Sequence, residues 1–384
     1  MKPKEIRFWD LPDSARFILN QNFSLILFDN AAKGDYYSLA NKLNISYPYI
    51  HHLRRSLYSI PKNMLIRISE LAGENLVKIE GNISLIKTRS GISFKGNFPI
   101  KSNLLISSLV GHVFGDGCID SKKRQFEYSN TNSNLLSEVE SEVKSIFGIG
   151  PIRKTNTRIV YPSIIGDVLL VFGAPLAPKI NSKNIVPEWI TQGPDSFKKA
   201  FLKAIFNDDG SVMFSKSYNA KGINLYQTRH VSKKRYLKTL LYQTKILLEE
   251  FDIRCGNPLV ARKYQKSDGT HIVMYINITD YTSISKFRKT ISLTEGNKQK
   301  RLERLLSRKT YYKKFDEKML EDSIVKHIKT NHLSTSDISS KLGTNNQRIL
   351  KKLNRLEKSG ALEKVGRVEP NRAFIWEEKG GIMK

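Results

Sequence analysis

At about 150 residues per domain, 384 residues leave room for two or three domains. The charged fraction of 26% is ordinary, but 64 Lys+Arg against 36 Asp+Glu leave a net charge of +28. With 40% hydrophobic residues and 37 aromatics the chain can bury real cores, which excludes intrinsic disorder. No apolar run approaches the roughly 18 residues that span a bilayer, which excludes a transmembrane helix. The start, MKPKEIRFWD, has no apolar secretory stretch, so a cytoplasmic location is expected, nucleoid-associated or wherever a target DNA resides. Cys118 and Cys255 are too few for a zinc site, and a disulfide between them is not expected in a reducing compartment. A positive excess of this size points to a polyanion, nucleic acid first and a membrane surface a weaker second, and no membrane partner is expected.

Residues 1–78 read as short helices. Leu39, Ala40 and Leu43 share one helical face before a break at Asn44, and a second helix, Tyr47 to Leu57, carries Arg54 and Arg55. Ile60-Pro61 stops it, and Leu65, Ile66, Ile68 and Leu71 form the next apolar stripe. Helix, tight turn and basic helix resemble the repressor-type helix-turn-helix family, which implies DNA contact through Arg54 and Arg55; the plainer alternative is a small helical bundle with a polar face. Residues 79–100 alternate in short runs around Gly81, Gly91 and Gly96, as a hairpin and linker would. At the far end, residues 309–384 contain a capped helix and turn (Ser334 to Gly343) and then an amphipathic basic helix, Asn345 to Ser359. That helix has Ile349, Leu350, Leu353 and Leu356 on one side and Arg348, Lys351 and Lys352 available for contact. With the alternating runs at 360–364 and 373–376 this region resembles a winged-helix domain, a fold that also serves protein interaction.

Between these flanks the chain repeats itself. Leu104 to Gly117 matches Phe197 to Gly210: each is an apolar stretch with a small residue, Gly111 or Ala204, five positions before an acid, and each ends in Asp-Gly. The two acids, Asp116 and Asp209, stand 93 residues apart. Similar strand and helix patterns follow each, so residues 101–195 and 196–308 read as two copies of one α/β unit. Gly111, Gly115 and Ala204 would let the two helices meet closely, and Gly117 and Gly210 suit left-handed helix caps. A carboxylate at a helix C-terminus is disfavoured by the macrodipole, and placing one there twice suggests a compensating cation, Mg2+ first, held through oxygen.

These two segments resemble the paired motifs of the LAGLIDADG homing endonucleases, over about 205 of the 384 residues. The resemblance implies an α+β fold: a pseudo-twofold duplicated αββαββα core with saddle-shaped antiparallel sheets, flanked by small helical DNA-binding domains. It implies that Asp116 and Asp209 bind two or three divalent ions shared between two active sites, with the carbonyls of Gly115 and Asp208 as secondary ligands. It further implies a lysine in each copy, Lys179 and Lys298. Three positions depart from the pattern. Phe114 and Asn207 replace an earlier acid, a change expected to touch packing alone. Asp208 replaces a small residue opposite Gly115, where it would crowd the seam or compete for metal. His112 is expected to be a packed histidine and not a ligand.

What the resemblance implies for chemistry is metal-dependent phosphodiester hydrolysis of double-stranded DNA at an asymmetric site, by a monomer, with the ions activating water and assisting the leaving oxygen and the lysines stabilising charge. Lys122, Lys123, Arg124, Arg153, Lys154, Arg158, Arg229, Arg262 and Lys263 would contact DNA from the strands, and Gln125, Asn130 and Gln227 carry amides of the kind that read adenine. The rival expectation is a transcriptional regulator on an inactive scaffold of the same kind; an RNA maturase is a third. Met1 at the start, with no Cys or Ser there and no terminal His-Asn pair, argues against an intein.

Overall fold

The computed structural model describes residues 4–87, 93–95, 97–214, 220–307, 317–328, 333–342, 344–368 and 373–378. Gly91, Gly96 and Gly343 of the sequence reading lie outside these. The fold is α+β: among the described residues there are 16 α-helices and several small antiparallel sheets. Among the described residues no helix is long and apolar enough to cross a membrane. Two compact units result, Met1–Val212 with Ile223–Lys300, and Met213–Gly222 with Arg301–Lys384.

The first unit holds both repeated segments. The helix Leu104–Phe114 is buried from Ile106 to Phe114, so it is apolar on every side. The strands Gly117–Ile119, Phe126–Ser129, Arg158–Tyr161 and Arg153–Lys154 follow it as an antiparallel sheet in that spatial order. After the helix Asp195–Asp209 come Gly210–Phe214, Ala220–His230, Gly269–Ile278 and Leu259–Lys266, again in that spatial order. In both sheets the third strand in sequence lies on the edge and the fourth lies inside. One amphipathic helix interrupts each set: Ser133–Phe147 buries Leu135, Leu136, Val139, Val143 and Phe147, and Lys234–Glu249 buries Leu237, Leu240, Leu241, Leu247 and Leu248. Both patterns are stripes at helical spacing.

The N-terminal part of this unit is not purely helical. Arg16–Leu19 pairs with Ile60–Pro61 on one side and Ile83–Lys87 on the other, and Ser93–Lys95 completes the sheet. Ile60-Pro61, expected to end a helix, is a strand, and the helix before it ends at Arg54 instead of Leu57. Residues 83–87 and 93–95 are therefore built into a sheet with Arg16–Leu19, and the short helix Leu76–Glu80 precedes them. They are also tied back to the chain start, where the buried Glu80 carboxylate accepts from Arg7 Nη1 at 2.6 Å and Phe8 N at 3.0 Å. Local patterning cannot show such a partner, since it lies more than seventy residues away.

The second unit has its own core. Leu320, Ile324, Ile328, Leu333, Ile338, Leu342, Ile349, Leu353, Leu362 and Trp376 pack together. They come from three helices, Glu317–Ile328, Thr335–Leu342 and Asn346–Lys358, and a three-stranded sheet of Leu333–Ser334, Ala373–Glu378 and Leu362–Val368. The Trp376 indole N–H reaches Thr335 Oγ1 at 3.2 Å, as a buried indole requires a partner.

Candidate active site

The helices Leu104–Phe114 and Asp195–Asp209 lie side by side, and their small residues explain how closely. A Cβ on Gly111 would stand 2.8 Å from Ala204 Cβ and 2.9 Å from the Phe201 carbonyl; one on Gly115 would stand 2.4 Å from Asp208 Cβ. Ser107 Oγ donates across the seam to Phe197 O at 2.7 Å. Gly117 and Gly210 do not adopt the left-handed caps expected of them: Gly210 is extended, with φ −72° and ψ 149°, and Gly117 has no positive φ. Space is their reason, because a Cβ would come 2.3 Å from Phe206 O at Gly210 and 2.8 Å from His112 O at Gly117.

At the same end of both helices sit the two acids. Asp116 follows the first helix, and its Oδ2 accepts from the Asn130 amide at 2.9 Å. Asp209 ends the second, and its Oδ2 accepts from the Gln227 amide at 2.6 Å; the same amide lies 3.4 Å from Phe114 O. Asn130 and Gln227, expected among the base-reading amides, therefore orient carboxylates. Lys179 Nζ donates to the carbonyls on either side of Asp116, those of Gly115 and of Gly117, the latter at 2.9 Å. Lys298 Nζ donates to the carbonyls of Asn207 and Asp208, at 2.5 and 2.6 Å, just before Asp209.

Two clefts open at these acids, and each combines one half's acid with the other half's lysine. A cleft of about 480 Å³ is lined by Asp116 and Lys298 with Asn130, Asn132, Asn207 and Thr294. A second, of about 440 Å³, is lined by Asp209 and Lys179 with Gln227, Arg229, Lys266 and His271. Asn207 holds the Lys298 loop in place: its amide donates to Thr294 Oγ1 at 2.8 Å and its Oδ1 accepts from Thr294 N at 2.9 Å. Expected to be a packing change alone, it positions a lysine.

Burial pushes the Asp209 carboxyl up to about 7, against the opposing pull of Lys179, with Asp116 and Asp208 adding to the rise. Asp116 moves up too, through loss of hydration first and the Asp208 charge second, against Lys298 and Lys179. Both lysines are pulled below their ordinary range by burial, opposed mainly by Asp209 for Lys179 and by Asp116 for Lys298. Arg229 is buried; its Nη1 reaches Thr228 O at 3.3 Å, while among the described residues Nε and Nη2 have no hydrogen-bond partner, and burial pulls its pKa down to about 10.

A site for Mg2+ implied by the sequence can be tested against these atoms. The donors are all oxygen: the Asp116 and Asp209 carboxylates, each with one oxygen uncommitted, and the carbonyls of Gly115 and Asp208, which already receive cationic ammonium groups. Among the described residues no group of three or more His, Cys, Asp or Glu gathers around one point. One carboxylate with water suits a small hard ion that keeps most of its hydration, which is the kind of ion these oxygen donors would take.

The other expected contact residues are spread more widely. Lys122, Lys123, Arg124, Arg153, Lys154 and Arg158 are exposed around the first sheet, with Arg153 on Gln125 at 3.0 Å, Lys154 on Glu140 at 2.6 Å and Arg158 paired with Glu127. Arg262 and Lys263 are exposed on the edge strand Leu259–Lys266. Arg54 is held by both oxygens of Asp29, at 2.7 and 3.0 Å, beside an exposed Arg55. Lys351 is exposed and Arg348 half-buried, but Lys352 corrects the expectation: it is buried, with Nζ 2.5 Å from Glu321 Oε1, because its position on the helix faces Glu317–Ile328. His112 is fully buried, on Asp208. Sequence reasoning did not anticipate Tyr128, whose hydroxyl also reaches Asp208, at 2.8 Å; nothing local marks it.

No family model matches the chain. Among curated proteins it is similar to the replication factor C small subunit of Methanocaldococcus jannaschii, 25% identical over 252 residues, covering 61% of this chain and 13% of that protein. It is similar to the glutamine–fructose-6-phosphate aminotransferase of the same organism, 23% identical over 256 residues, covering 66% and 21%. It is also similar to archaeal proteins named tRNA-splicing ligase RtcB, such as that of Pyrococcus furiosus, 26% identical over 240 residues, covering 57% and 24%. The chain thus spans a quarter or less of the length of these relatives. These findings correct the family reading. The relatives carry the names of a replication factor subunit, an aminotransferase and tRNA-splicing ligases, so neither membership in the LAGLIDADG homing endonucleases, nor that activity, nor a regulator on such a scaffold is assigned. The pattern behind that reading was short, and small residues before a terminal acid are what any closely packed helix pair of this geometry needs, as Gly111 and Gly115 show.

Proposed function

We propose that the chain acts on nucleic acid, carrying out divalent-metal-dependent phosphoryl chemistry on a polynucleotide backbone, with Asp116 and Lys298 serving one cleft and Asp209 and Lys179 the other. The observation that carries this reading is the crossed arrangement, in which each acid shares its cleft with the lysine of the opposite half. Identical strand order in the two sheets supports a pseudo-twofold pair of copies, and two clefts suit two strands, so double-stranded DNA is the first partner to test. A net charge of +28 supports a polyanionic partner. The names replication factor and tRNA-splicing ligase belong to nucleic-acid transactions, which also supports it; aminotransferase does not, and no one name is carried over from relatives of which the chain spans so little.

In this reading Asp116 and Asp209 hold Mg2+, which neutralises charge on the reacting phosphate. Asn130 and Gln227 orient those carboxylates through their amides. Lys179 and Lys298 bring ammonium groups to the same two points, where they stabilise charge that develops on phosphate oxygens. The exposed Lys122, Lys123, Arg124, Arg153, Lys154, Arg158, Arg262 and Lys263 hold the backbone in register. Regions 1–78 and 309–384 add contacts through Arg54, Arg55, Arg348 and Lys351. The test is a labelled pool of duplex DNA and structured RNA incubated with and without Mg2+ and resolved on denaturing gels, where shortening reports breakage and lengthening reports joining. A Mg2+-dependent change in strand length that Asp116→Asn with Asp209→Asn removes is expected. No change by the wild-type protein, or the same change by the double variant, would overturn the proposal.

A further inference from the structure

Asp208 is a third carboxylate at the seam, and its side chain is wholly enclosed. It is buried, and three groups converge on it. Its Oδ2 accepts from the backbone N–H of Asp116 at 3.1 Å and lies 2.9 Å from His112 Nδ1; its Oδ1 accepts from Tyr128 OH at 2.8 Å. Tyr128 in turn lies 3.3 Å from the Asn130 amide that holds the Asp116 carboxylate. Asp116 is thereby fixed twice by one buried group, once at its backbone and once, through Tyr128 and Asn130, at its side chain. Room for this exists because residue 115 is glycine: a Cβ there would stand 2.5 Å from Asp208 Oδ2. No mirror image occurs, since the residue matching Asp208 in the first half is that same Gly115. Among the described residues the Asp209 carboxylate has Gln227 as its hydrogen-bond partner.

We infer that Asp208 is a positioning residue for the Asp116 cleft alone, presenting the Asp116 carboxylate to a divalent cation while the Asp209 cleft binds its ion without such support. The inference rests on the proposed role of both acids as metal ligands. Groups behind a ligand that fix its orientation typically contribute 10- to 100-fold in metal affinity. A one-sided effect of that size distinguishes positioning from general damage to the fold, which would weaken both clefts.

The experiment uses the full chain and Mn2+ titrated by calorimetry, with each cleft isolated in turn. In an Asp209→Asn background only the Asp116 cleft should bind, and adding Asp208→Asn should weaken Mn2+ at least tenfold. In an Asp116→Asn background the same Asp208→Asn should change Mn2+ affinity less than about threefold. Tyr128→Phe, which keeps the ring and removes one bond of the chain, should act in the same direction on the Asp116 cleft and leave the other unchanged; it serves if Asp208→Asn does not fold. Equal weakening of both clefts, or none at the Asp116 cleft, would overturn the inference. Absence of Mn2+ binding by the wild-type chain, or binding that survives both acid substitutions, would instead overturn the proposed function.

Discussion

The two clefts share a backbone plan and differ in how their charge is organised. At the Asp116 cleft, amides and hydroxyls line the walls and the ordering comes from underneath, through Asp208, Tyr128 and His112. At the Asp209 cleft, among the described residues, the acid has one amide partner, and the distinctive wall is cationic, with a buried Arg229 two of whose guanidinium nitrogens have no hydrogen-bond partner. Burying an unpaired cation is unfavourable unless a ligand completes it. In the proposed reading the first cleft holds its own acid and the second receives an anion. Symmetry in strand order does not impose symmetry in electrostatics, because the side chains that set the field come from distant parts of the chain.

The largest expected effect tests whether both clefts work at all. Asp116→Asn and Asp209→Asn should each lower the rate of Mg2+-dependent chemistry at their own cleft by about 10²–10³, while nucleic-acid affinity stays within tenfold, about 1.4 kcal/mol. Single-turnover rates on each labelled strand would show this, and equal loss on both strands from either variant would erase the distinction between clefts. Gly115→Ala should come next, destabilising the fold by about 1–3 kcal/mol through overpacking against Asp208. The control is Gly150→Ala, which meets nothing within 4 Å and should shift a urea midpoint little.

Arg229→Met should lower affinity for a fluorescent duplex about tenfold and make the salt slope shallower by about one, yet leave the free protein as stable or more so, since the buried cation is gone. A melting temperature that falls together with affinity would mean Arg229 is completed by protein and not by a ligand. The smallest effect concerns pH. With the Asp209 carboxyl up at about 7, an arriving cation must displace a proton, so affinity at that cleft should rise with pH and level off above 7. Between pH 6 and 7 the gain should be about fivefold for one proton. Mn2+ calorimetry in an Asp116→Asn background reads it directly, and a flat profile would show that Asp209 is already ionised.

Much of this was legible in the chain. Gly111, Ala204 and the two Asp-Gly ends mark a close helix pair, and the two lysines singled out, Lys179 and Lys298, donate to carbonyls beside the two acids. What was not legible depends on partners far apart. Asn130 and Gln227 looked like surface amides because nothing within a window of ten residues shows the carboxylate each one meets. Asp208 looked like an intruder at the seam; its partners Tyr128 and His112 lie 80 and 96 residues away. Lys352 looked like a helix-face cation, and only Glu321 and the packing of a neighbouring helix explain its burial. Gly117 and Gly210 suit left-handed helix caps on sequence, but their small size, not their backbone freedom, is what the packing uses.

Gly115 and Asp208 occupy one shared volume across the seam, and this has a consequence for which sequences the fold tolerates. A side chain at either position excludes one at the other, so the two sites do not vary independently. Gly115→Ala is harmful beside Asp208 but should be accommodated beside a glycine at 208, whereas Asp208→Gly alone leaves a void and strips His112 and Tyr128 of their acceptor. Each single step is downhill and the double substitution is partly restored, which is sign epistasis with a steric origin. Which half carries the buried carboxylate is therefore a locked choice, reversible only by a route through less stable intermediates.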